Sequence, residues 1–482
     1  MSFVVFINGL VLIFFAVLMG LNALLFPTTA TVFLFSMALV GVPGISLALS
    51  SSSSDVGLRR AHTFLLTSTV WFMAAVAGAV PLMIWSMTPT DALFEAMSGI
   101  TTTGATVLAG LDAMPHGIIM WRAALQAVGG VGFIVTGIAI LPLLKVGGMQ
   151  LFRTESSDKG EKELKSAALF ASATLQIYAG LIMLCAFVYL AGGMSGFDAI
   201  THAMTTISTG GYSGHDASFG FFRNPFLQWA GTVFMLMGAL PFAWYIRVAQ
   251  GGSFRSEQVG AMVQTLTIVI LLLTVWVMAR TGLPPLTALR QVSFNVVSVV
   301  TTTGYATTDY TLWGPFAVAM FFVLTAVGGC TGSTAGGAKA MRWLLLSRSI
   351  KAQVQALHSP HRVVTVRYEG QRVDADVIAG LITFFAVYLA TFAVLSFALT
   401  FLGLDVTTAT SGALTALANV GPGVGAIIGP AGNFASLTSP VKLTLVLGMF
   451  LGRLELLTVL VMLTPLFWRE ITADATRKMG RT

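Results

Sequence analysis

The sequence has little charge and almost no cysteine. Only 9% of its 482 residues are Asp, Glu, Lys or Arg, whereas about 25% is usual for a soluble domain. The two cysteines, Cys185 and Cys330, lie in different apolar segments, so neither a disulfide framework nor a cysteine metal site is expected. The six histidines are scattered, and the apolar segments hold no convergent set of acids, histidines or nucleophiles. The sequence therefore predicts neither a soluble protein nor an enzyme.

Long apolar runs account for most of the chain, of which 56% is hydrophobic. Runs of about 20 residues are long enough to cross a bilayer as helices. Ten such runs are predicted, at 3–26, 29–50, 61–87, 117–144, 168–192, 226–250, 258–281, 313–340, 375–402 and 440–468. The sequence thus indicates an all-α polytopic membrane protein.

The basic residues follow the predicted topology. Of the 26 Lys and Arg, 20 fall in the terminus and loops on one side, among them Lys145 to Lys165, Lys339 to Arg372 and Arg469 to Arg481. The positive-inside rule places that side, and both termini, in the cytoplasm. The net charge of +7 therefore reports orientation, and no nucleic-acid partner is expected.

Four short polar runs interrupt the apolar pattern, and each ends in glycine. Non-helical backbone at membrane depth is costly unless it is buried in protein or lines a water-filled path. Each break follows a stretch too short to span the bilayer, with Asp91, Asp198, Asp405 or Pro284-Pro285 near its start, as at a helix N-terminus. The breaks contain Thr102, Thr103 and Gly104; Ser208, Thr209 and Gly210; Thr302, Thr303 and Gly304; and Asn419, Val420 and Gly421.

The predicted architecture is a leading two-helix hairpin followed by four parallel helix–pore-loop–helix repeats around a central pore. The alternative, four ordinary extracellular loops, does not explain breaks in phase with four hairpins. The predicted boundaries are residues 1–58 for the hairpin, 59–145 for repeat 1, 146–251 for repeat 2 with the preceding cytoplasmic loop, 252–343 for repeat 3, and 344–482 for repeat 4 with its preceding loop and the C-terminal tail.

The chemistry of the breaks favours a monovalent cation. Glycine lets carbonyl oxygens turn toward a common axis, and rings of such oxygens replace the water around K⁺ in channel filters. Ca²⁺ and Mg²⁺ prefer charged oxygen ligands. The only metal ion expected at these residues is therefore transported K⁺.

A second glycine-rich segment lies in the last span of repeat 3. It comprises Gly328, Gly329, Cys330, Thr331, Gly332, Ser333, Thr334, Ala335, Gly336 and Gly337. Five glycines in ten residues destabilise a helix by about 1 kcal/mol each relative to alanine, so the segment is predicted to unwind. The spacing of Lys339 does not fit a phosphate-binding loop. Close packing of helices is the alternative use of these glycines.

Arg453 and Glu455 lie within the last span. Charged side chains at membrane depth usually face a cavity or a partner. Because two residues apart on a helix point in different directions, the two are not expected to pair with each other. Arg453 is predicted to face the pore, with an ion pair to another helix as the alternative, and for Glu455 such an ion pair is favoured.

These motifs resemble the TrkH subunits of bacterial Trk potassium-uptake systems, in a superfamily with the Ktr and HKT transporters. The resemblance rests on Thr102 to Thr106, Ser208 to Gly211, Thr303 to Tyr305 and Asn419 to Gly423. It implies a K⁺-selective, channel-like uptake transporter that also carries Rb⁺, with segment 328–337 and Arg453 as its gate.

The resemblance also implies partners. It points to a homodimer in membrane lipid, regulated by a TrkA-type cytosolic ring that docks on loops 145–167 and 341–374 and itself binds the nucleotide. This chain would carry no covalent cofactor. Two other transport functions stay open: an H⁺- or Na⁺-coupled K⁺ symporter of the same fold, and the potassium-translocating subunit of a Kdp-type pump.

Overall fold

The computed structural model describes residues 2–51, 60–139, 161–359, 365–469 and 471. The leading hairpin is α1 (Ser2–Leu25) with α2 (Ala30–Ser50). The remaining helices are α3 (Arg60–Trp85), α4 (Pro89–Ile100), α5 (His116–Ala139), α6 (Glu161–Ala191), α7 (Gly196–Ile207), α8 (Pro225–Gly238), α9 (Phe242–Ala249), α10 (Glu257–Thr281), α11 (Pro285–Val300), α12 (Pro315–Thr325), α13 (Ala340–His358), α14 (Ala375–Phe401), α15 (Val406–Ala418), α16 (Ser439–Arg453) and α17 (Leu457–Met462). Strands β1 (Arg367–Tyr368) and β2 (Gln371–Arg372) form a small antiparallel hairpin.

Within the described ranges, six helices are long and apolar enough to cross a membrane, namely Phe3–Leu25, Pro27–Ser50, Ala61–Trp85, Leu169–Ala191, Glu257–Thr281 and Ala375–Phe401. Helices α8 and α9 form a further candidate span, bent by 91° at their junction. The runs predicted at 313–340 and 440–468 are interrupted, after α12 and between α16 and α17. The chain is thus a multi-pass, predominantly helical membrane protein, as predicted.

The four short helices α4, α7, α11 and α15 occupy the predicted re-entrant stretches. Each starts within five residues of the end of the preceding long helix, so each enters from the side where that helix ends. This side of the molecule is called the outer side below. The caps differ from the prediction in detail. Thr88 and Ser195 cap α4 and α7 by accepting from the backbone of Asp91 and Asp198, while Asp405 itself caps α15.

Two apolar cores surround the short helices. One joins the leading hairpin with repeats 1 and 4 and includes Phe94, Trp121 and Leu445. The other joins repeats 2 and 3 and includes Phe219 and Phe294. Trp121 attaches the hairpin because its ring meets Phe15 and Phe33 edge-on, with centroids 6.3 and 5.5 Å away. The short helices therefore end where the two cores meet.

Two predicted features fall partly outside the described ranges. Of the cytoplasmic loop 145–167, residues 145–160 are not described, and of the C-terminal tail, residues 472–482 are not described. In the loop at 341–374, α13 extends to His358 and is followed by the β1–β2 hairpin. Arg348 of α13 joins this hairpin to α10, through Glu257 at 2.5 Å and the carbonyl oxygen of Arg367 at 2.6 Å.

Candidate ion-conduction site

The four breaks share one backbone conformation. A residue with positive φ ends each short helix, and the residue two positions later is a glycine, also with positive φ. The pairs are Thr102 (φ 53°) and Gly104 (φ 82°), Thr209 (52°) and Gly211 (74°), Thr302 (58°) and Gly304 (80°), and Asn419 (55°) and Gly421 (100°). Positive φ is strained for residues other than glycine, so its recurrence in four loops indicates a shared structural requirement.

In repeat 2 the glycine of this pattern is Gly211, one residue after the predicted Gly210. Gly210 instead takes the middle position, which Thr103, Thr303 and Val420 occupy in the other loops. The sequence indicates this register, because each of the other three loops has a Thr or Asn, then one intervening residue and then glycine. In repeat 2 that spacing from Thr209 leads to Gly211.

The glycines form a closed ring of contacts between the loops. A Cβ atom on Gly104 would overlap the carbonyl oxygen of Gly210, and one on Gly211 that of Thr303. A Cβ on Gly304 would overlap the oxygen of Val420, and one on Gly421 would lie 2.7 Å from that of Thr103. Each glycine thus meets the middle carbonyl of the next loop. The four breaks converge on one place, and any side chain at these positions would disturb the neighbouring repeat.

The ends of the short helices point at this ring. Helices α4, α7, α11 and α15 all terminate at the residue with positive φ or just before it. Their carboxyl ends carry the negative pole of the helix dipole, which stabilises a nearby cation. The polar side chains of the loops are buried and contribute hydroxyl and amide groups without charge, while Gly104, Gly211 and Gly304 are half-buried. The arrangement thus suits a monovalent cation stripped of water.

The glycine-rich segment 328–337 lies directly beneath the ring and is not helical, so the predicted unwinding is present. It fills the bend between α8 and α9, where Cys330 N donates to Ala239 O at 3.0 Å and Phe242 N donates to Gly332 O at 2.9 Å. It also reaches the loops. Gly336 N donates to Thr302 Oγ1 at 2.7 Å, and Thr209 Oγ1 lies 3.2 Å from Thr334 Oγ1.

Arg453 joins this segment to repeat 1. Its guanidinium donates to Thr334 O at 3.0 Å and to Gly129 O at 3.1 Å, and its side chain is buried. The predicted gate residues are therefore in contact with one another.

Glu455, two residues after Arg453, forms the expected ion pair with another helix. Its carboxylate lies 2.5 Å from Arg342 Nη2 on α13. The charge pattern assigned Arg342 and Lys339 to a cytoplasmic loop, but both are buried. Lys339 folds back onto the glycine-rich segment and donates to Ala335 O. Arg342 and Lys339 thus lie with Arg453 around the space beneath the ring, although the sequence had indicated only Arg453 for this place.

Charged metal ligands do not surround the ring. Among the residues that the structure describes, no three His, Cys, Asp or Glu side chains are grouped so as to hold a metal ion. Glu95, the carboxylate on the first short helix, is already bonded to Arg122 at 2.8 Å. Fold and site together define a multi-pass helical membrane protein of the class with four re-entrant loops that meet at one place.

Comparison with known proteins agrees with this class. Residues 29–467 match the model of the TrkH family, described as "Cation transport protein". The Trk system potassium uptake protein TrkI of Halomonas elongata is 48% identical over 421 residues, covering 86% of this chain and 85% of that protein. The Trk system potassium uptake protein TrkH of Escherichia coli K12 is 35% identical over 424 residues, covering 86% and 87%.

A solved structure is similar along the whole chain. The crystal structure of the potassium transporter TrkH from Vibrio parahaemolyticus aligns with a TM-score of 0.89 and 31% identity, covering 97% of this chain and 99% of that one. The chain therefore belongs to the TrkH family of cation transport proteins. The resemblance and fold class predicted from the sequence are confirmed. A family of transporters is not a family of enzymes, which confirms that prediction as well.

Proposed function

We propose that this chain is the K⁺-conducting subunit of a Trk-type uptake system. Its filter would consist of the loop residues 102–104, 209–211, 302–304 and 419–421, with Ser208 ending the second short helix. K⁺ and Rb⁺ would pass from the outer side toward the cytoplasm. The observation that carries the proposal is the closed ring in which each loop glycine meets a carbonyl oxygen of the next loop.

Selectivity for K⁺ follows from the ligands available. Neutral carbonyl and hydroxyl oxygens at a fixed spacing replace the hydration of a large, weakly hydrated ion more readily than that of Na⁺. The names of the relatives, potassium uptake proteins in three organisms, support the same ion. The helix dipoles add a favourable potential without binding the ion so tightly that it cannot leave.

Segment 328–337 is the proposed gate. It contacts the loops from beneath, and Arg453 and Lys339 bring positive charge to the same place. Conduction requires that the segment move and that these cations shift from the path, because a positive charge repels K⁺. Regulation by a cytosolic nucleotide-binding ring, assembly as a homodimer, placement in the bacterial inner membrane with cytoplasmic termini, and the predicted repeat boundaries belong to the same proposal.

Coupling to H⁺ or Na⁺ is the alternative mechanism, and the described carboxylates weigh against it. Glu95 and Glu455 are the carboxylates near the loops and the gate, and each is held in a buried ion pair with an arginine. A carboxylate held in a buried ion pair cannot take up a coupling ion without breaking that pair, which is costly. Passive conduction is therefore the preferred mechanism.

The test is a flux assay on purified protein in vesicles. Uptake of Rb⁺, Na⁺ and Li⁺ is measured with and without an imposed pH gradient. We expect Rb⁺ to enter much faster than Na⁺ or Li⁺, at a rate that follows the Rb⁺ gradient alone. Uptake that requires a proton or sodium gradient would replace the channel-like mechanism with the symporter. Equal rates for the three ions would overturn the assignment of the loops as a K⁺ filter.

A further inference from the structure

A buried ion pair between Glu95 of α4 and Arg122 of α5 lies behind the filter. Arg122 Nε lies 2.8 Å from Glu95 Oε1, and the two side chains are 1% and 0% exposed. Arg122 lies near the start of α5 and faces the first short helix. Because charges are costly to bury even in pairs, the pair calls for an explanation beyond packing.

The pair is bonded to the chain just after the filter in two repeats. Glu95 accepts from Thr106 Oγ1 at 2.9 Å and from Val107 N at 3.0 Å. Arg122 donates to Thr106 Oγ1 at 3.2 Å and to Ser213 O at 2.9 Å. Thr106 and Ser213 occupy the same register, each two residues after the left-handed glycine of its loop. The pair therefore connects equivalent points of loops 1 and 2.

Further contacts connect the Glu95–Arg122 pair to the ring of loop glycines. The Arg122 guanidinium stacks over the Tyr212 ring at 4.1 Å, and the Tyr212 hydroxyl donates to Glu95 O and Ala105 O at 2.8 and 3.2 Å. One turn along α5, Gln126 accepts from Tyr212 N at 3.0 Å and donates to Gly210 O at 2.6 Å. Gly210 O is the oxygen that abuts Gly104. Displacement of Arg122 would thus be felt at the contact between loops 1 and 2.

The position of Glu95 recurs in the other repeats with different chemistry. Glu95, His202 and Asn295 each stand nine residues before the left-handed glycine of their loop (104 − 95, 211 − 202 and 304 − 295). His202 Nε2 lies 2.9 Å from Ser213 Oγ, and Asn295 Nδ2 donates to Thr307 Oγ1 at 2.9 Å. In repeat 4 the position is Gly412, which has no side chain. In three repeats the polar side chain at this position bonds to the segment that follows the loop glycine. Only in repeat 1 is that side chain a carboxylate.

We propose that Glu95 and Arg122 act as positioning residues that set the spacing of loops 1 and 2 and thereby the discrimination of K⁺ from Na⁺. The inference rests on the proposed function, since it assigns a role within that filter. Charge-assisted hydrogen bonds are stronger and shorter than neutral ones. Their loss would let the two loops separate or shift, and a ring of less defined size accepts Na⁺ more readily.

Two variants test the role. Glu95→Gln keeps the shape of the side chain and removes its charge, and we expect the ratio of Rb⁺ to Na⁺ uptake in vesicles to fall about tenfold. Because that variant leaves Arg122 buried without its carboxylate, the double variant Glu95→Gln with Arg122→Met removes both charges and protects the fold. We expect the same loss of discrimination from it, with size-exclusion profile and melting temperature close to those of the unsubstituted protein.

Asp91→Asn is the matched control. Asp91 lies one turn earlier on the same helix and pairs with Lys442 of repeat 4 at 2.6 Å, away from the loops. We expect its uptake ratio to stay within about twofold of the unsubstituted protein. A folded double variant with unchanged discrimination, or one in which Rb⁺ and Na⁺ uptake fall equally, would overturn the proposal. Failure of the proposed function is distinct, since the unsubstituted protein would then show no preference for Rb⁺.

Discussion

The outer and inner faces of the glycine ring are held by different kinds of bond. On the outer face, charged side chains connect repeats 1 and 2. Arg122 donates to Ser213 O, and Asp216 accepts from the backbone of Gly110 and Leu111 at 3.0 and 3.2 Å. On the inner face, segment 328–337 is attached mostly through neutral backbone groups of α8, α9 and the loops, and Arg453 and Lys339 add charge-assisted bonds to it.

This difference in bonding indicates that the two faces of the ring have different roles. Charge-assisted bonds hold their partners more strongly than neutral ones, and glycine-rich backbone has more conformations available than other chain. The outer face is therefore suited to keep the loops at one spacing, whereas the inner face is suited to change conformation. We therefore expect substitutions at the ring and on its outer face to alter which ion passes, and substitutions on its inner face to alter how fast ions pass.

The largest effect is expected at Gly211. Its φ is 74°, and a Cβ there would overlap the Thr303 carbonyl oxygen of the next repeat, so Gly211→Ala combines backbone strain with a collision. We expect the ratio of Rb⁺ to Na⁺ uptake in vesicles to fall at least about tenfold.

Gly210→Ala provides the comparison. Gly210 lacks a positive φ, so Gly210→Ala adds no backbone strain, and its added Cβ would meet the side-chain amide of Gln126 instead of a backbone oxygen of the next repeat. We expect a smaller loss of discrimination than at Gly211. A larger loss at Gly210 than at Gly211 would indicate that Gly210 holds the ring position, as predicted from the sequence. It would contradict the register assigned to repeat 2.

A change of rate without a change of selectivity is expected beneath the ring. Arg453→Ala removes the bonds to Thr334 O and Gly129 O that tie the inner segment to repeat 1. We expect Rb⁺ uptake to rise about threefold, with the ratio of Rb⁺ to Na⁺ uptake nearly constant. Shortening 328–337 should act in the same direction and more strongly.

Arg348→Ala is the control for Arg453→Ala. Arg348 is 36% exposed and pairs with Glu257, remote from the ring, so its loss should leave uptake unchanged. Lower Rb⁺ uptake by folded Arg453→Ala protein would contradict a tie that restrains opening. A fall in the ratio of Rb⁺ to Na⁺ uptake in Arg453→Ala would contradict the different roles assigned to the two faces.

Local signals in the sequence were enough for much of the site. The apolar runs, the helix caps and the Thr-rich breaks predicted the short helices α4, α7, α11 and α15 and the loops that follow them. Each of these features depends on neighbouring residues, since a cap or a glycine acts within one turn of its own position. The unwinding of 328–337 was predictable for the same reason, because five glycines destabilise a helix wherever it packs.

Contacts between distant residues set the rest. In repeat 2 the order Thr209-Gly210-Gly211 indicates which glycine takes positive φ, but its contact with the Thr303 oxygen of another repeat is not visible in the sequence. The charge count placed Arg342 in solvent, but its partner Glu455 lies 113 residues further along the chain. Such pairings cannot be read from a single sequence without knowing which helices meet.

The smallest expected effect is on stability. It concerns a cluster of His215, Asp112 and Asp198 on the outer face, called the clasp below. His215 Nδ1 lies 2.6 Å from Asp112 Oδ1 of repeat 1, and its Nε2 lies 3.3 Å from Asp198 Oδ1. The ring stacks on Phe221 with centroids 3.6 Å apart and also faces His202 at 6.0 Å. Partial burial of His215 would lower its pKa, but the neighbouring carboxylates of Asp198 and Asp112 favour the protonated ring more strongly and raise the pKa above the ordinary 6.5. The hydrogen bond from His215 lowers the pKa of Asp112, which therefore stays ionised near neutrality.

A raised histidine pKa stabilises the folded state fully below pH 6.5 and loses that contribution as pH rises through the higher folded value. We expect the melting temperature of purified protein to fall between about pH 6 and 9, by an amount that corresponds to about 1 kcal/mol. His215→Gln should remove this dependence while leaving the ratio of Rb⁺ to Na⁺ uptake unchanged, because the His215 side chain faces Asp112 and Asp198 and makes no bond to the backbone oxygen that Arg122 holds. Equal pH dependence in both proteins would exclude the clasp as its source. A selectivity change in His215→Gln would extend control of the filter to the whole outer face, beyond the Glu95–Arg122 pair.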